Sequence, residues 1–259
     1  MSLDIAVLLS TGRHPASGRG RRAEVDARAL ELALELGPTL GGRLHAIHAG
    51  DPVDPALRDY LGMGLERLTV LRQPPECDVL PALVSHLRAI RPALILAGSA
   101  AEDGPGSGML PYALAQALGL PILPAAAEVA VKNGLLDMLQ ALPRGRRRML
   151  RTNLPCLVTV DRSAKTPRPS AYAKSRRGAI DIIEMTPGPS LPADAREVPA
   201  RARPRRLKIM TGGTAAERFR AATEMQAGRG RLMVDPPADE AARAIMEYLR
   251  AEGIFTRVG

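Results

Sequence analysis

Apolar residues in this chain alternate between short unbroken runs and stretches where they recur at helical spacing. Residues 5–9 are uniformly apolar, which predicts a buried strand, and the polar, glycine-rich residues 10–22 predict a loop. Over residues 24–36, Val25, Ala29, Leu32, Ala33 and Leu36 share one face, predicting a helix that stops at Gly37-Pro38. Strands are expected at 43–49, 68–71 and 93–97, and helices at 55–62 and 77–91, the second turning Leu80, Leu83, Val84 and Leu87 inward. Strands alternating with helices imply an α/β fold with a doubly wound, mainly parallel sheet of the adenine-nucleotide-binding type.

The run at 94–98 leads into Ser99-Ala-Ala-Glu-Asp-Gly-Pro-Gly-Ser-Gly108, after which Leu110, Leu114, Ala117 and Leu118 keep helical spacing up to Gly119 and Pro121. Strand, loop and helix follow in that order. In an open parallel sheet, ligands sit beyond the carboxyl ends of strands, and a helix N-terminus offers free N–H groups to a phosphate. The loop is therefore a candidate nucleotide site. It lacks the Lys-Ser/Thr ending of a P-loop and the glycine spacing of a Rossmann fingerprint, and glycines serve tight turns as readily as phosphates. Glu102 and Asp103 carry the same two readings: they orient a ribose or the loop backbone, or Asp103 is a turn residue ahead of Gly104.

Beyond residue 121 the pattern changes. Runs at 126–131, 135–142 and 146–151 predict a small antiparallel meander around Lys132-Asn133-Gly134, since Asn-Gly favours a hairpin turn. A buried strand is expected at 157–160, and Thr166-Pro-Arg-Pro-Ser170 breaks the regularity. Residues 186–206 are rich in Pro, Ala and Arg and read as a linker or extended arm. A strand at 207–210, a helix at 215–226, a strand at 231–234 and a helix at 239–251 are expected to follow. The expected organisation is a nucleotide-binding α/β domain at 1–185, the linker or arm at 186–206 and a C-terminal α/β extension at 207–259.

Composition narrows the chemistry. Aromatic residues make up 2% of the 259 residues and Trp is absent, so the core must be built of Leu, Ala, Val and Ile. Cys77 and Cys156 lie far apart, which favours a reducing compartment while leaving a single disulfide open. The chain has neither a basic, apolar leader nor an apolar run of about 18 residues, so a soluble cytoplasmic protein is expected. Its net charge of +9 raises the question of nucleic acid, but Tyr60, Tyr112, Tyr172, Tyr248, Phe219 and Phe255 are scattered and make no stacking platform. Solvated faces or an acidic protein partner account for the arginine clusters. His14, His45, His48 and His86 lack metal-ligand spacing, no Gly-x-Ser-x-Gly element occurs, and Cys156 beside an apolar run reads as a buried, inert thiol. No catalytic residue and no metal site are expected.

Several segments, taken together across residues 3–184, resemble the β subunit of electron transfer flavoproteins. They are Ala29-Leu-Glu-Leu-Ala-Leu-Glu-Leu36, Leu57-Arg-Asp-Tyr-Leu-Gly-Met-Gly-Leu-Glu-Arg67, Arg91-Pro-Ala-Leu-Ile-Leu-Ala-Gly98, Ala101-Glu-Asp-Gly104 with Leu118-Gly-Leu-Pro121, and Leu154-Pro-Cys-Leu-Val-Thr-Val-Asp161 followed by Pro167-Arg168 and a basic stretch at 173–180. The family's Asn-Pro ahead of its first long helix is Ala23-Glu24 here, and its acidic loop core reads Asp103-Gly104-Pro105.

The resemblance implies a non-catalytic electron carrier: a heterodimer whose α subunit supplies most contacts to FAD, while the β chain carries AMP in some members and a second FAD in bifurcating ones. Electrons would come from a flavin dehydrogenase and pass towards a membrane quinone oxidoreductase or other acceptor. Carried over residue by residue, the nucleotide loop would comprise Gly98, Ala101, Asp103, Gly104, Gly106, Ser107 and Gly108, with Leu9, Ser10, Ala49 and Gly50 closing the pocket. Pro167, Arg168 and Tyr172 would mark the loop that recognises the dehydrogenase, with Tyr172 as its hydrophobic anchor. The C-terminal extension would pack on the partner subunit. A stand-alone adenine-nucleotide-binding regulatory protein is the alternative reading, and an ATP-dependent ligase is disfavoured because Leu9-Ser-Thr-Gly-Arg-His14 lacks Ser-Gly-Gly-x-Asp-Ser.

Overall fold

Four of the apolar runs become central strands of one sheet, and each has residues facing both ways. The computed structural model describes residues 2–14, 16–104, 106–189, 214–216, 219 and 232–251. Strand β1 (Leu3–Leu8) leads through the short hairpin strands β2 (Thr11–Arg13) and β3 (Gly20–Arg22) into α1 (Glu24–Leu40) and β4 (Gly41–Gly50). Next come α2 (Leu57–Gly62), β5 (Arg67–Arg72), α3 (Leu80–Ile90), β6 (Leu94–Gly98) and α4 (Leu110–Leu118). Strands β7 (Ile122–Lys132), β8 (Leu135–Ala141), β9 (Arg147–Asn153) and β10 (Cys156–Val160), helix α5 (Tyr172–Arg177) and strand β11 (Ala179–Glu184) complete the series.

The nine-stranded sheet has the order β11-β5-β4-β1-β6-β10-β7-β8-β9. It is parallel from β11 to β7, and β8 and β9 continue it antiparallel. Ile5, Val7 and Leu9 join one apolar cluster with Ala29, Leu30 and Ala33 of α1, while Ala6 and Leu8 join a second with Leu83 and Leu87 of α3 and Leu114 of α4. Leu94 and Leu96 of β6 likewise face the first cluster, and Ile95 and Ala97 the second. Successive strand residues point to opposite faces, so a sheet covered by helices on both sides needs unbroken apolar runs. Leu30 and Leu94 are fully buried, each contributing roughly 1.5–3 kcal/mol of transfer free energy.

Chain order fixes where a ligand edge lies. From β1 the chain moves outward through β4 to β5, then α3 carries it back to β6 on the other side of β1. The direction of winding therefore reverses between β1 and β6, and their carboxyl ends flank the resulting crevice.

Several local expectations need correction. Helix α1 passes Gly37-Pro38 and ends at Leu40, because Leu36 and Leu40 both pack into the first cluster; Gly41, at φ 63°, then ends it by donating its N–H to the Gly37 carbonyl. The expected loop at 10–22 contains the antiparallel β2–β3 pair. Strand β11 was not expected; it extends the sheet beside β5, flanked by Arg67–Asp181 and Arg72–Glu184 ion pairs. The first strand of the meander is longer than expected and also pairs with β10, so it belongs to the main sheet. Asn133 and Gly134, both at positive φ, make its hairpin turn as expected.

The chain divides into two compact units, Met1–Arg196 and Glu197–Gly259. In the second, the expected last helix is α6 (Ala238–Ala251), with Ile245, Met246 and Tyr248 exposed. Residues 232–234 form no strand, and Leu232 and Val234 are largely solvent-exposed rather than packed. The strand expected at 207–210, residues 190–206 of the expected arm and most of the helix expected at 215–226 lie outside the described residues.

Residues 162–171 are strapped to α1 and α2. Arg168 donates from Nε to Glu31 Oε2 at 2.8 Å, from Nη2 to Oε1 at 2.9 Å and from its backbone N–H to Oε2 at 3.0 Å. Lys165 meets Glu35, the Ala164 carbonyl accepts from Arg28, and the Ala171 N–H donates to the Gly62 carbonyl at 2.9 Å. Glu31 is buried, whereas the Arg168 side chain is 42% exposed. Burial alone would raise the Glu31 pKa, but the bonds and charge of Arg168 outweigh it and hold the carboxyl below its ordinary value. This stabilisation is complete above the unfolded value of 4.5 and is lost as pH falls through the lower folded value.

We predict that Arg168→Ala costs about 2–3 kcal/mol, because it strands a buried carboxylate, while Glu31→Ala costs roughly 1 kcal/mol, because the arginine can turn to water. Urea denaturation at neutral pH measures both. Equal losses would show that the buried charge is not what sets the asymmetry.

Candidate functional site

Asp26, in the first turn of α1, joins the two strands that flank the crevice. Its Oδ2 accepts from the Ser10 N–H at 2.7 Å and from the Ser10 hydroxyl, and its Oδ1 accepts from the Gly98 N–H at 2.9 Å. Ser10 follows β1 and Gly98 ends β6, so one carboxylate ties the chain on both sides of the reversal. A Cβ on Gly98 would overlap Asp26 Oδ1, which explains the glycine there. Burial pushes the Asp26 pKa up to about 6; the Ser10 and Gly98 bonds work against that rise, and the nearby Glu102 charge adds to it.

Tyr60 completes the tie. Its buried hydroxyl donates to the Ser10 carbonyl at 2.7 Å and accepts from the Ala23 N–H at 3.0 Å, joining α2, the end of β1 and the start of α1. Burial holds this phenol well above its ordinary pKa, so it stays a donor. On the β4 side, His48 Nδ1 donates to the Leu9 carbonyl at 2.9 Å. Burial lowers the His48 pKa, favouring the neutral ring. Its Nε2 faces Gly50, where a Cβ would lie 2.6 Å away.

Glu102 resolves its two readings in favour of the backbone. It reaches from the loop after β6 to accept the Glu24 N–H at 2.7 Å, capping α1 in place of Ala23, whose side chain makes no capping bond. Its other oxygen pairs with Arg21 Nη2 at 2.6 Å, and a Cβ on Gly12 would overlap that oxygen. Asp103 behaves as a turn residue: its Oδ1 accepts the Gly104 N–H at 2.9 Å, and it stays exposed.

The structure thus brings Leu9, Ser10, Ala49, Gly50 and Gly98 to one edge, at the ends of the adjacent parallel strands β4, β1 and β6. Ala101, Asp103, Gly104, Gly106, Ser107 and Gly108 lie in the loop that follows. This loop closes on itself: Gly104, Gly106 and Gly108 all have positive φ, a Cβ on Gly108 would come within 2.9 Å of the Ser99 carbonyl oxygen, and Ser107 Oγ accepts the Met109 N–H at 3.2 Å. Away from this edge, Pro167 and Arg168 lie in the strap, and Tyr172 begins α5 with its side chain projecting into solvent.

Sequence reading missed Asp26 and Tyr60 as residues that build this edge. Acids are common in a first helical turn, so nothing in the sequence sets Asp26 apart. Tyr60 did have a signal, being the polar-tipped aromatic in a short apolar helix. A cleft of about 440 Å³ lies further along the sheet, lined by residues including Asp51, Arg72, Gln73 and Met185 and by none of the expected site residues. Burial drives the Cys156 thiol up to about 12, in keeping with an inert thiol. Among the described residues no group of three or more His, Cys, Asp or Glu is placed to hold a metal ion, and no helix is long and apolar enough to cross a membrane.

The fold is that of a doubly wound α/β protein with a mainly parallel sheet and a crevice where its winding reverses. Residues 16–187 match the electron transfer flavoprotein domain family. The chain is also 44% identical over 260 residues to the electron transfer flavoprotein subunit beta of Chromohalobacter salexigens, an alignment covering 98% of this chain and 96% of that protein. It belongs to the electron transfer flavoprotein family, on the β-subunit side.

Two outcomes test the Asp26 tie. Gly98→Ala should destabilise the protein by about 1–3 kcal/mol through overpacking against Asp26, read as a lower thermal midpoint; an unchanged midpoint would mean the contact is slack. Asp26 is also ionised at a cost, since its folded pKa lies above the unfolded 3.8. The folded state therefore binds the extra proton, and this group's contribution becomes more favourable as pH falls from about 7 towards 4, by on the order of 3 kcal/mol. His48 works in the opposite sense, because its folded pKa is depressed and acid favours its unfolded form. The stability difference between wild type and Asp26→Asn should move in favour of wild type across that window, and parallel pH profiles would contradict this account.

Proposed function

We propose that this chain is the β-like subunit of a heterodimeric electron transfer flavoprotein, taking electrons from a flavin dehydrogenase and passing them towards a membrane quinone oxidoreductase or other acceptor. The observation that carries this reading is the near-full-length similarity to a protein named as a β subunit. We assign the chain no catalytic residue: its part is to shape the complex and present it to partners. FAD, which supplies the electron-carrying chemistry, is held mainly by the α subunit. The C-terminal extension, including the apolar side chains exposed on α6, packs on that subunit. A cytoplasmic location and no nucleic-acid partner complete the reading.

The strap supports a recognition role for Tyr172. Arg168 is engaged with Glu31, so it positions the loop, while Tyr172 is 79% exposed at the start of α5. A large exposed aromatic on a braced support suits the anchor of a transient interface, because little side-chain freedom is lost on docking.

The chain should purify from its host as a yellow complex with one larger chain in equal amount, whereas a colourless homo-oligomer would favour the stand-alone nucleotide binder. Within the complex, Tyr172→Ala should lower kcat/KM for the carrier in a dehydrogenase-coupled assay by roughly ten- to thirty-fold, the loss of one interface anchor, with the flavin spectrum unchanged. An unaltered kcat/KM would remove Tyr172 from the interface.

A further inference from the structure

One buried side chain holds the segment that leaves β11. Gln73 directly follows β5, and its backbone N–H donates to the Gly50 carbonyl at 3.2 Å. The residue is 2% exposed, and both ends of its amide are taken by that segment: Nε2 donates to the Thr186 carbonyl at 3.2 Å, and Oε1 accepts the Gly188 N–H at 3.1 Å. The Pro189 carbonyl then accepts the Asp78 N–H at 2.8 Å. Asp78 is itself fixed, since its Oδ1 accepts the Leu80 N–H at the start of α3 at 2.9 Å. Gly188 lies so close that a Cβ there would overlap the Asp78 carbonyl oxygen.

Apolar burial does not account for this seating. Met185 packs on the second cluster, but Thr186, Pro187 and Pro189 are exposed, so hydrogen bonds hold them. If the segment lifted away, Gln73 would keep a buried amide without these partners, and that cost keeps the segment down. Pro187 and Pro189 each fix a backbone torsion, which makes the pinned stretch stiff as well.

We propose that Gln73 and Gly188 are positioning residues for subunit assembly: they fix the place where the chain leaves the α/β domain, so that the C-terminal extension meets the α subunit from an ordered start. The inference rests on the reading that this extension packs on the α subunit. A segment already held in place loses less freedom on association than one that binding itself must order. With the clamp broken, residues 185–189 would have to be ordered each time the subunits meet.

Two variants of the full chain break the clamp from opposite sides. Gln73→Met keeps the length of the side chain and loses both bonds; Gly188→Ala leaves Gln73 intact, forces the segment off Asp78 and lies outside every strand and helix of the domain. In both, the Asp78 N–H should exchange with solvent at least about tenfold faster, while the amides that pair β11 with β5 keep their wild-type rates. Sedimentation of serial dilutions of the complex with the α subunit should then show a heterodimer dissociation constant raised by about tenfold in both variants. Unchanged exchange at Asp78 would overturn the proposal, as would faster exchange throughout β5 and β11, which would make the two residues supports of the sheet alone. Faster exchange at Asp78 with wild-type dissociation constants would overturn the assembly role and leave the flavoprotein reading standing. A wild-type chain that binds no α subunit would overturn that reading and this role with it, an outcome seen without either variant. Should Gln73→Met fail to fold, Gly188→Ala decides.

Discussion

A single carboxylate holds together the place where this sheet changes its direction of winding. Asp26 takes its hydrogen bonds from segments that leave the central strands on either side of the crevice, and Tyr60 fastens the same segment to α1 from behind. In an ordinary βα connection those backbone donors face solvent or a ligand. Here they face a side chain whose burial raises its pKa, so the junction has a cost of its own that the packing of α1 must offset. Glu102 extends the tie to the next loop, which makes the β2–β3 hairpin, the start of α1 and the loop after β6 one connected structure.

The central strands were legible because being covered on both faces leaves a mark on every residue. β1 from Ile5 onward, β6 throughout and β10 apart from Thr159 are apolar, and the two clusters they feed divide those residues alternately. What stayed hidden depends on distant pairing. Residues 179–184 carry Asp181 and Glu184 and sit half-exposed, so they read weakly until β5 is placed alongside with Arg67 and Arg72 to meet them. The hairpin inside residues 10–22 was hidden for the same reason, since Gly12 is set by Glu102 from far along the chain.

The ligand edge was half legible. Runs ending in Leu9 and Gly98, followed by glycine-rich segments, located the strand ends, and the topology brings them together. Side-chain roles did not follow from that. An acid in a first helical turn is ordinarily a solvent-facing partner of the helix dipole, and Asp26 carries no sequence mark to set it apart. The glycine at 98 could be read as making room for a ligand; the structure shows it making room for Asp26.

Strand β11 has a further consequence for how the molecule is assembled. The hairpins of β7, β8 and β9 join neighbours in sequence, whereas β11 must find β5, made much earlier in the chain. Closing so long a loop delays contact formation, so the strap and α5, which lie just before β11, sit among the parts with the most distant partners. A ribosome would have to release residues 162–177 before Tyr172 stood on its finished support, so a chain truncated ahead of the strap could build most of the sheet and still lack that support.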